Sequence, residues 1–309
     1  MINYNFPFIK TGDVIEIIAP SGGFPQNNLY TIIADSEKFI GNLGFTPKID
    51  PKLFSLSGDS FSANRLNFRM NSIIDALQNE ESSAIWCLRG GYGAQQLIPC
   101  LQQIKQPKKA KLFAGFSDIT ALHLFFNQKW NIPTLHSRNL CQFILEKDVS
   151  NDEIASFKKL ITGNQKSLEY DIVPLNHKAQ NFSEAEAKII GGNMTVIQTS
   201  IGTPWQIDGK GKIIFFEEVG ERGYRIDRMF YHFEQAGMFE GVKAIVIGDV
   251  SPEKEANGTN LTEVAVSRFC ARVNLPVFRI NGIGHKKINN PLPLNINTLI
   301  TKQKLKFIF

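Results

Sequence analysis

A chain of 309 residues can hold two domains or one large one, and 43% hydrophobic against 20% charged residues excludes a disordered or fibrous protein. The net charge of +5 is small and scattered, which argues against a nucleic-acid-binding surface; the densest cluster, Lys105, Lys108, Lys109 and Lys111 around Pro107, reads as a solvated loop. No apolar run nears the roughly 18 residues that span a bilayer.

The start, Met1-Ile2-Asn3-Tyr4-Asn5-Phe6-Pro7, shows no basic-then-apolar leader. Cys87, Cys100, Cys141 and Cys270 show no Cys-x-x-Cys spacing and read as reduced thiols of a cytoplasmic protein. The 24 phenylalanines forecast a strongly aromatic core.

In chain order, Val14 to Ala19 reads as a buried strand followed by the loop Pro20-Ser21-Gly22-Gly23 and a helix with Leu29, Ile32, Ile33, Ile40 and Leu43 on one side, ended by Gly44. The loop lacks Gly-x-Gly-x-x-Gly, so a packing or substrate-lining turn is preferred over a dinucleotide site. Leu66, Met70, Ile73, Ile74 and Leu77 form a helical stripe, read as a core face. The strand Ala84-Ile85-Trp86-Cys87-Leu88 runs into Arg89-Gly90-Gly91-Tyr92-Gly93. Three glycines in four positions let the backbone approach a ligand closely or simply turn. At a strand's C-terminal end that loop lies where open α/β sheets collect ligands.

Leu112-Phe113-Ala114 is a further strand, and from Ile119 on Leu122 and Phe126 recur at helical spacing. Only Gly115, Phe116 and Ser117 remain to reverse direction. So tight a turn lifts its apex side chain clear and aims nearby N–H groups at the same space, as a serine nucleophile and its oxyanion require; helix capping by Ser117 or Asp118 is the plain alternative. Alternating strands and helices from 14 to about 136 argue for a parallel sheet faced by helices.

The stretch from 146 to 185 is polar and weakly periodic and reads as a linker with one short helix near Ile154 to Ile161. The N-terminal domain is therefore drawn at 1–145 and the C-terminal domain at 186–309. In the latter, Asn193 is placed to cap a helix carrying Met194, Ile197 and Ile201. The strand Lys212 to Phe216 ends in Glu217-Glu218, and a helix with Ile226, Met229, Phe230 and Phe233 on one face closes at Gly237. Lys243 to Gly248 and Val277 to Ile280 read as strands, and the tail beyond Gly282-Ile283-Gly284-His285-Lys286 as a returning one. Strands with fewer helices suggest an α+β domain.

A serine needs a base, and the base needs an orienting group. Among five histidines, His123, His177 and His232 read as surface or helix-face residues, while His136 at a strand end and His285 in a glycine-flanked loop both remain open as base. Glu217 is placed to orient an imidazole. No His-Glu-x-x-His or similar spacing exists, so no metal is expected.

Five separated motifs carry a resemblance: Arg89-Gly90-Gly91-Tyr92-Gly93, Gly115-Phe116-Ser117-Asp118, Gly191-Gly192-Asn193, Glu217-Glu218-Val219-Gly220-Glu221 with Tyr224-Arg225-Ile226-Asp227-Arg228, and Gly284-His285. Their order and spacing resemble the LD-carboxypeptidase family, the serine peptidases that include murein tetrapeptide carboxypeptidases and microcin C self-immunity proteins. The likeness covers nearly the whole chain. An α/β-hydrolase fits less well, because Ile119 stands where that elbow has its last glycine and no His-Gly-Gly-Gly loop exists.

The resemblance implies a flavodoxin-like N-terminal α/β domain, a C-terminal domain with a barrel-like sheet, a site between them and commonly a homodimer. It implies Ser117 as nucleophile, His285 as base, Glu217 as orienting acid, and an oxyanion hole from the N–H groups of Gly91 and Asp118. Arg89, Gly90, Tyr92 and Arg138 are candidate substrate contacts, an arginine being suited to the peptide's terminal carboxylate. The expected function is removal of the terminal D-alanine from murein tetrapeptides in cytoplasmic peptidoglycan recycling, with a small peptide as partner and no cofactor, nucleic acid or membrane. Cleavage of peptidyl- or aminoacyl-nucleotides, as in the microcin-immunity branch, and non-catalytic binding of murein peptides are the alternatives. Two departures from the family pattern stand out: His136-Ser137-Arg138 for His-Gly-Pro, and Lys286 for the glycine after the histidine.

Overall fold

The computed structural model of the chain describes residues 4–24, 29–53, 59–146, 149–165 and 167–309. Expectations resting on Met1 to Asn3, on the Leu29 side chain and on positions 147, 148 and 166 lie outside the described residues. The chain divides into two compact units, Met1–Lys166 and Ser167–Phe309.

The first unit runs β1 (Val14–Ile18), α1 (Leu29–Asn42), β2 (Thr46–Ile49), α2 (Leu66–Gln78), β3 (Ser82–Cys87), α3 (Ile98–Leu101), β4 (Leu112–Gly115), α4 (Thr120–Lys129), β5 (Thr134–His136), α5 (Leu140–Leu145) and α6 (Asn151–Ile161). Its strands pair in parallel in the order β2-β1-β3-β4-β5. That is the flavodoxin-like order, and the chain reverses its direction of travel across the sheet between β1 and β3. The loops after β1 and β3 therefore flank a crevice at the carboxyl edge of the sheet. β1, β3 and β4 are buried almost throughout, as apolar runs covered on both faces should be.

Three sequence expectations need correction here. The 146–185 stretch is not a linker: α6 buries Phe157 against Trp86 (ring centroids 5.0 Å) and Phe143 (5.2 Å), which fixes it to the first unit. The rest of that stretch supplies a barrel strand of the second unit, so the division falls at 166/167. Lys111 is not a loop lysine. It is buried, and its ammonium donates to the carbonyls of Ala76 (2.5 Å) and Asn79 and to Ser82 Oγ (2.6 Å), capping the C-terminal end of α2. Burial pulls it down to about 8, against the upward pull of Glu16. Finally, the buried face of α2 is Arg69, Ile73, Ala76 and Leu77, with Leu66 exposed.

The second unit runs β6 (Ser167–Pro174), α7 (His177–Gln180), β7 (Glu184–Asn193), α8 (Met194–Ser200), β8 (Ile213–Glu221), α9 (Gly223–Gln235), β9 (Ala244–Pro252), α10 (Thr262–Arg272), β10 (Val277–Ile280), β11 (Leu292–Leu294), β12 (Asn297–Thr301) and β13 (Lys304–Ile308). Seven of its strands close a barrel in the order β10-β6-β13-β12-β7-β8-β9. Pairings among β7, β8, β9 and β10 are parallel, and the others are antiparallel.

α9 buries Ile226, Met229, Phe230 and Phe233, the face expected from their spacing. Phe233 stacks on Phe216 of β8 (5.3 Å) and Phe230 on Phe269 of α10 (4.0 Å), which is where many of the phenylalanines are spent. At Gly191 an added Cβ would stand 1.9 Å from the carbonyl oxygen of Phe215, so β7 and β8 approach more closely than any side chain allows. The register then sets Asn193 opposite Glu217.

Candidate active site

In the first unit the candidate nucleophile sits on a strained turn. Phe116 is extended, and Ser117 follows at φ 68, in the left-handed region that costs a non-glycine residue about 1–3 kcal/mol. A 3₁₀ turn (Ser117–Ile119) then leads into α4. Asp118 is its second residue, so its N–H has no acceptor within the turn.

The surroundings hold this geometry in place. Asn139 Oδ1 accepts the Phe116 N–H (3.3 Å) while Asn139 caps α5 in a reciprocal box with Gln142. His123 touches the Gly115 carbonyl through Nε2 (2.9 Å) and Thr134 Oγ1 through Nδ1 (2.9 Å). A carbonyl only accepts, so Nε2 carries the proton and Nδ1 accepts from the threonine hydroxyl. Thr134 Oγ1 in turn accepts from Asn127 Nδ2 (3.0 Å). Complete burial drives His123 down to about 3, keeping it neutral. Of the two places expected for it, surface or helix face, His123 takes the helix face, as a buried strut on α4. His136, weighed as a base, is fully buried at the end of β5 with its ring 5.7 Å from Phe116.

Beside the turn lies the glycine loop. A Cβ on Gly90 would meet Ser117 Cβ at 2.9 Å and Oγ at 3.2 Å, so bare backbone abuts the serine. Gly91 has φ 114 and faces Gly22 of the loop after β1, whose N–H donates to Gly90 O (2.9 Å). The Asp118 carboxylate joins all three loops, accepting from Ser21 Oγ (2.6 Å) and from the Ala94 N–H (2.8 Å) through Oδ2. Burial raises its pKa, opposed by those two hydrogen bonds and by Arg69. The sequence pointed to the backbone of Asp118 or to a helix-capping role for it; the bridging by its carboxylate and the part of Asn139 were missed, although Asn139 with Gln142 three residues on is a readable capping signature.

The candidate substrate contacts divide. Arg89 is exposed; its guanidinium lies 4.8 Å from the Phe24 ring centre and donates to Gly23 O. Tyr92 is 46% exposed, edge-on to the still more exposed Phe61 at 6.2 Å. Gly90 is buried against the serine. Arg138 does not fit a role in substrate binding: it is 1% exposed and its guanidinium is occupied by Glu153 (2.6 Å) and Glu146. The Arg for Pro departure therefore adds an internal ion-pair cluster.

The second unit holds a carboxylate–imidazole pair. Glu217, wholly buried on β8, accepts from His285 Nδ1 at 2.6 Å, which fixes the ring's orientation and puts its proton on Nδ1. His285 follows Gly284 (φ 143), where a Cβ would press on Asp249 Cβ (3.0 Å) and Glu217 Cβ (3.4 Å); Asn289 Oδ1 accepts the Gly284 N–H at 3.1 Å. Burial lowers the His285 pKa, but the Glu217 charge and hydrogen bond, with Glu218 behind them, outweigh it and the net shift is upward. Glu218 accepts from Asn193 Nδ2 (3.0 Å), Thr195 N–H (2.7 Å) and Val219 N–H (2.8 Å), while Asn193 Oδ1 caps α8. Lys286 reaches Asp249 at 3.1 Å.

Comparison with known proteins accords with this division. The N-terminal domain of LD-carboxypeptidases matches residues 15–137 and their C-terminal domain residues 186–300. A Rickettsia conorii protein bearing a carboxypeptidase name is 38% identical over 94% of this chain and 88% of its own. The murein tetrapeptide carboxypeptidase of Pseudomonas aeruginosa is 26% identical over 80% of this chain and 81% of its own. The crystal structure of an MccF-like protein from Bacillus anthracis superposes with a TM-score of 0.81 at 22% identity, covering 98% of both chains. With both family domains matched in order, the chain belongs to the LD-carboxypeptidase family of peptidases.

Proposed function

We propose that the chain is a serine carboxypeptidase that removes the terminal D-alanine from murein tetrapeptides, with Ser117, His285 and Glu217 as its catalytic triad. The Glu217–His285 hydrogen bond carries the reading: a wholly buried carboxylate fixing one ring nitrogen is what a general base requires. The strained Ser117 and the likeness to the P. aeruginosa enzyme support it.

In this mechanism Ser117 Oγ attacks the carbonyl carbon of the bond to D-alanine as His285 Nε2 takes the hydroxyl proton. The anionic oxygen is met by the N–H groups of Gly91 and Asp118, each worth roughly 3 kcal/mol of barrier. Collapse breaks the C–N bond, His285 returns the proton to the leaving amine, and a water activated by the same imidazole releases the acyl group. Arg89 is the remaining candidate for the substrate's terminal carboxylate. Four free cysteines support a reducing, cytoplasmic setting for peptidoglycan recycling, and the family likeness supports a homodimer.

The test is incubation with murein tetrapeptide and mass spectrometry for loss of D-alanine, with Ser117→Ala as control; undiminished turnover by that variant refutes the mechanism. A second reading, cleavage of aminoacyl-nucleotides, is favoured by the exposed Phe61–Tyr92 pair, which offers aromatic faces to a heterocycle. Hydrolysis of an aminoacyl-sulfamoyl adenylate with the tetrapeptide left intact would select it.

A further inference from the structure

Arg69 is only 2% exposed, and a charge so placed is costly unless its hydrogen bonds are used. On α2 it shares a face with Ile73, Ala76 and Leu77, where an aliphatic residue would serve packing alone. Its bonds run instead to the loops around Ser117. Nη1 donates to Pro20 O (2.8 Å) and Gly93 O (2.9 Å), Nε to Asn64 O (3.0 Å) and Nη2 to Gln96 Oε1 (2.5 Å).

The decisive contact is shared with the nucleophile turn. Gly93 O and the Ala94 N–H are the two ends of one peptide group; Arg69 holds the first and the Asp118 carboxylate the second. Their other partners, Pro20 and Ser21, are also adjacent in sequence. A planar peptide gripped at both ends cannot rotate, and it lies two residues beyond Gly91.

We propose that Arg69 is a positioning residue for the reaction, locking the Gly93–Ala94 peptide so that the Gly91 N–H stays aimed at the oxyanion formed on attack by Ser117. This rests on the function proposed above. A guanidinium suits the task because its rigid fork serves several carbonyls at once, which an ammonium on a flexible stem does not.

The test compares wild type with Arg69→Met, Arg69→Ala and Gly93→Ala, whose new Cβ would stand 2.7 Å from Arg69 Nη1. The readings are kcat and KM on the tetrapeptide, affinity for a peptidyl boronate that forms an anionic tetrahedral adduct on serine, and the rate of Ser117 labelling by a fluorophosphonate. Arg69→Met should lower kcat about 10²-fold with KM within about threefold, and weaken boronate binding and labelling in parallel. Methylguanidinium should restore part of the kcat of Arg69→Ala.

A kcat within about threefold of wild type, or a lost kcat with boronate affinity and labelling rate unchanged, overturns the proposal. Should Arg69→Met fail to fold, Gly93→Ala decides by the same readings. Should wild type label at Ser117 yet leave the tetrapeptide intact, the substrate assignment fails while the labelling rates still judge Arg69.

Discussion

The candidate nucleophile turn of the first unit and the acid–base pair of the second achieve precision by opposite means. In the first unit the serine is set by backbone: a left-handed φ at Ser117, bare glycine against it, and a neutral histidine strapping Gly115. In the second unit the acid–base pair is set by charge, with a buried Glu217 on His285 and Glu218 behind it. A site held by sterics is indifferent to pH, whereas one held by a carboxylate–imidazole pair titrates.

Breaking each arrangement in turn tests the contrast. Ser117→Ala should cost about 10⁶-fold in kcat with the fold intact, read by D-alanine release. Glu217→Gln should cost about 10⁴-fold, because the amide keeps the shape but no longer favours the productive tautomer and the imidazolium.

Next in size is the pH response. His285 must be neutral to act, so kcat/KM should rise with pH about a midpoint above the 6.5 of a free imidazole. In Glu217→Gln that midpoint should fall below 6.5, since burial then acts with less opposition. Stability runs the other way. A raised native pKa gives a contribution fully present below the unfolded value and lost as pH rises through the folded one. Urea titrations across this range should therefore show the pair stabilising the fold least where catalysis is fastest; parallel trends would refute the charge-set description.

Smaller effects probe the strain. Ser117→Gly should be more stable than Ser117→Ala by about 1 kcal/mol in urea denaturation, glycine having no Cβ to oppose φ 68. Equal stabilities would show that the turn stores nothing. Smallest of all, Lys286→Met should move kcat by under about threefold in the same D-alanine assay, the lysine being half-exposed and paired with Asp249.

The same contrast governs what could be read from sequence. Strongly periodic or apolar elements were legible: the buried face of α9, the strand into Gly115, β8 up to its two carboxylates, and β10 to the residue. β6 was not, because its alternation of exposed and buried positions places only Leu168 and Ile172 inward among polar neighbours. α6 was legible as a short helix near Ile154 to Ile161 but was assigned to a linker, because Phe157 finds its partners, Trp86 and Phe143, far along the chain or outside its own helix. Arg69 gave no signal, since a lone charge on a helix is ordinarily solvated. Asp118 was noticed for its N–H while its carboxylate works through residues 24 and 97 positions away.

Gly191 has a consequence for how the barrel tolerates change. With 1.9 Å between a hypothetical methyl and the Phe215 oxygen, every substitution there must prise two central strands apart, and Asn193 and Glu217 would lose their alignment together. In a saturation library that codon should therefore read out as glycine alone under selection for folding, before any selection for activity is applied.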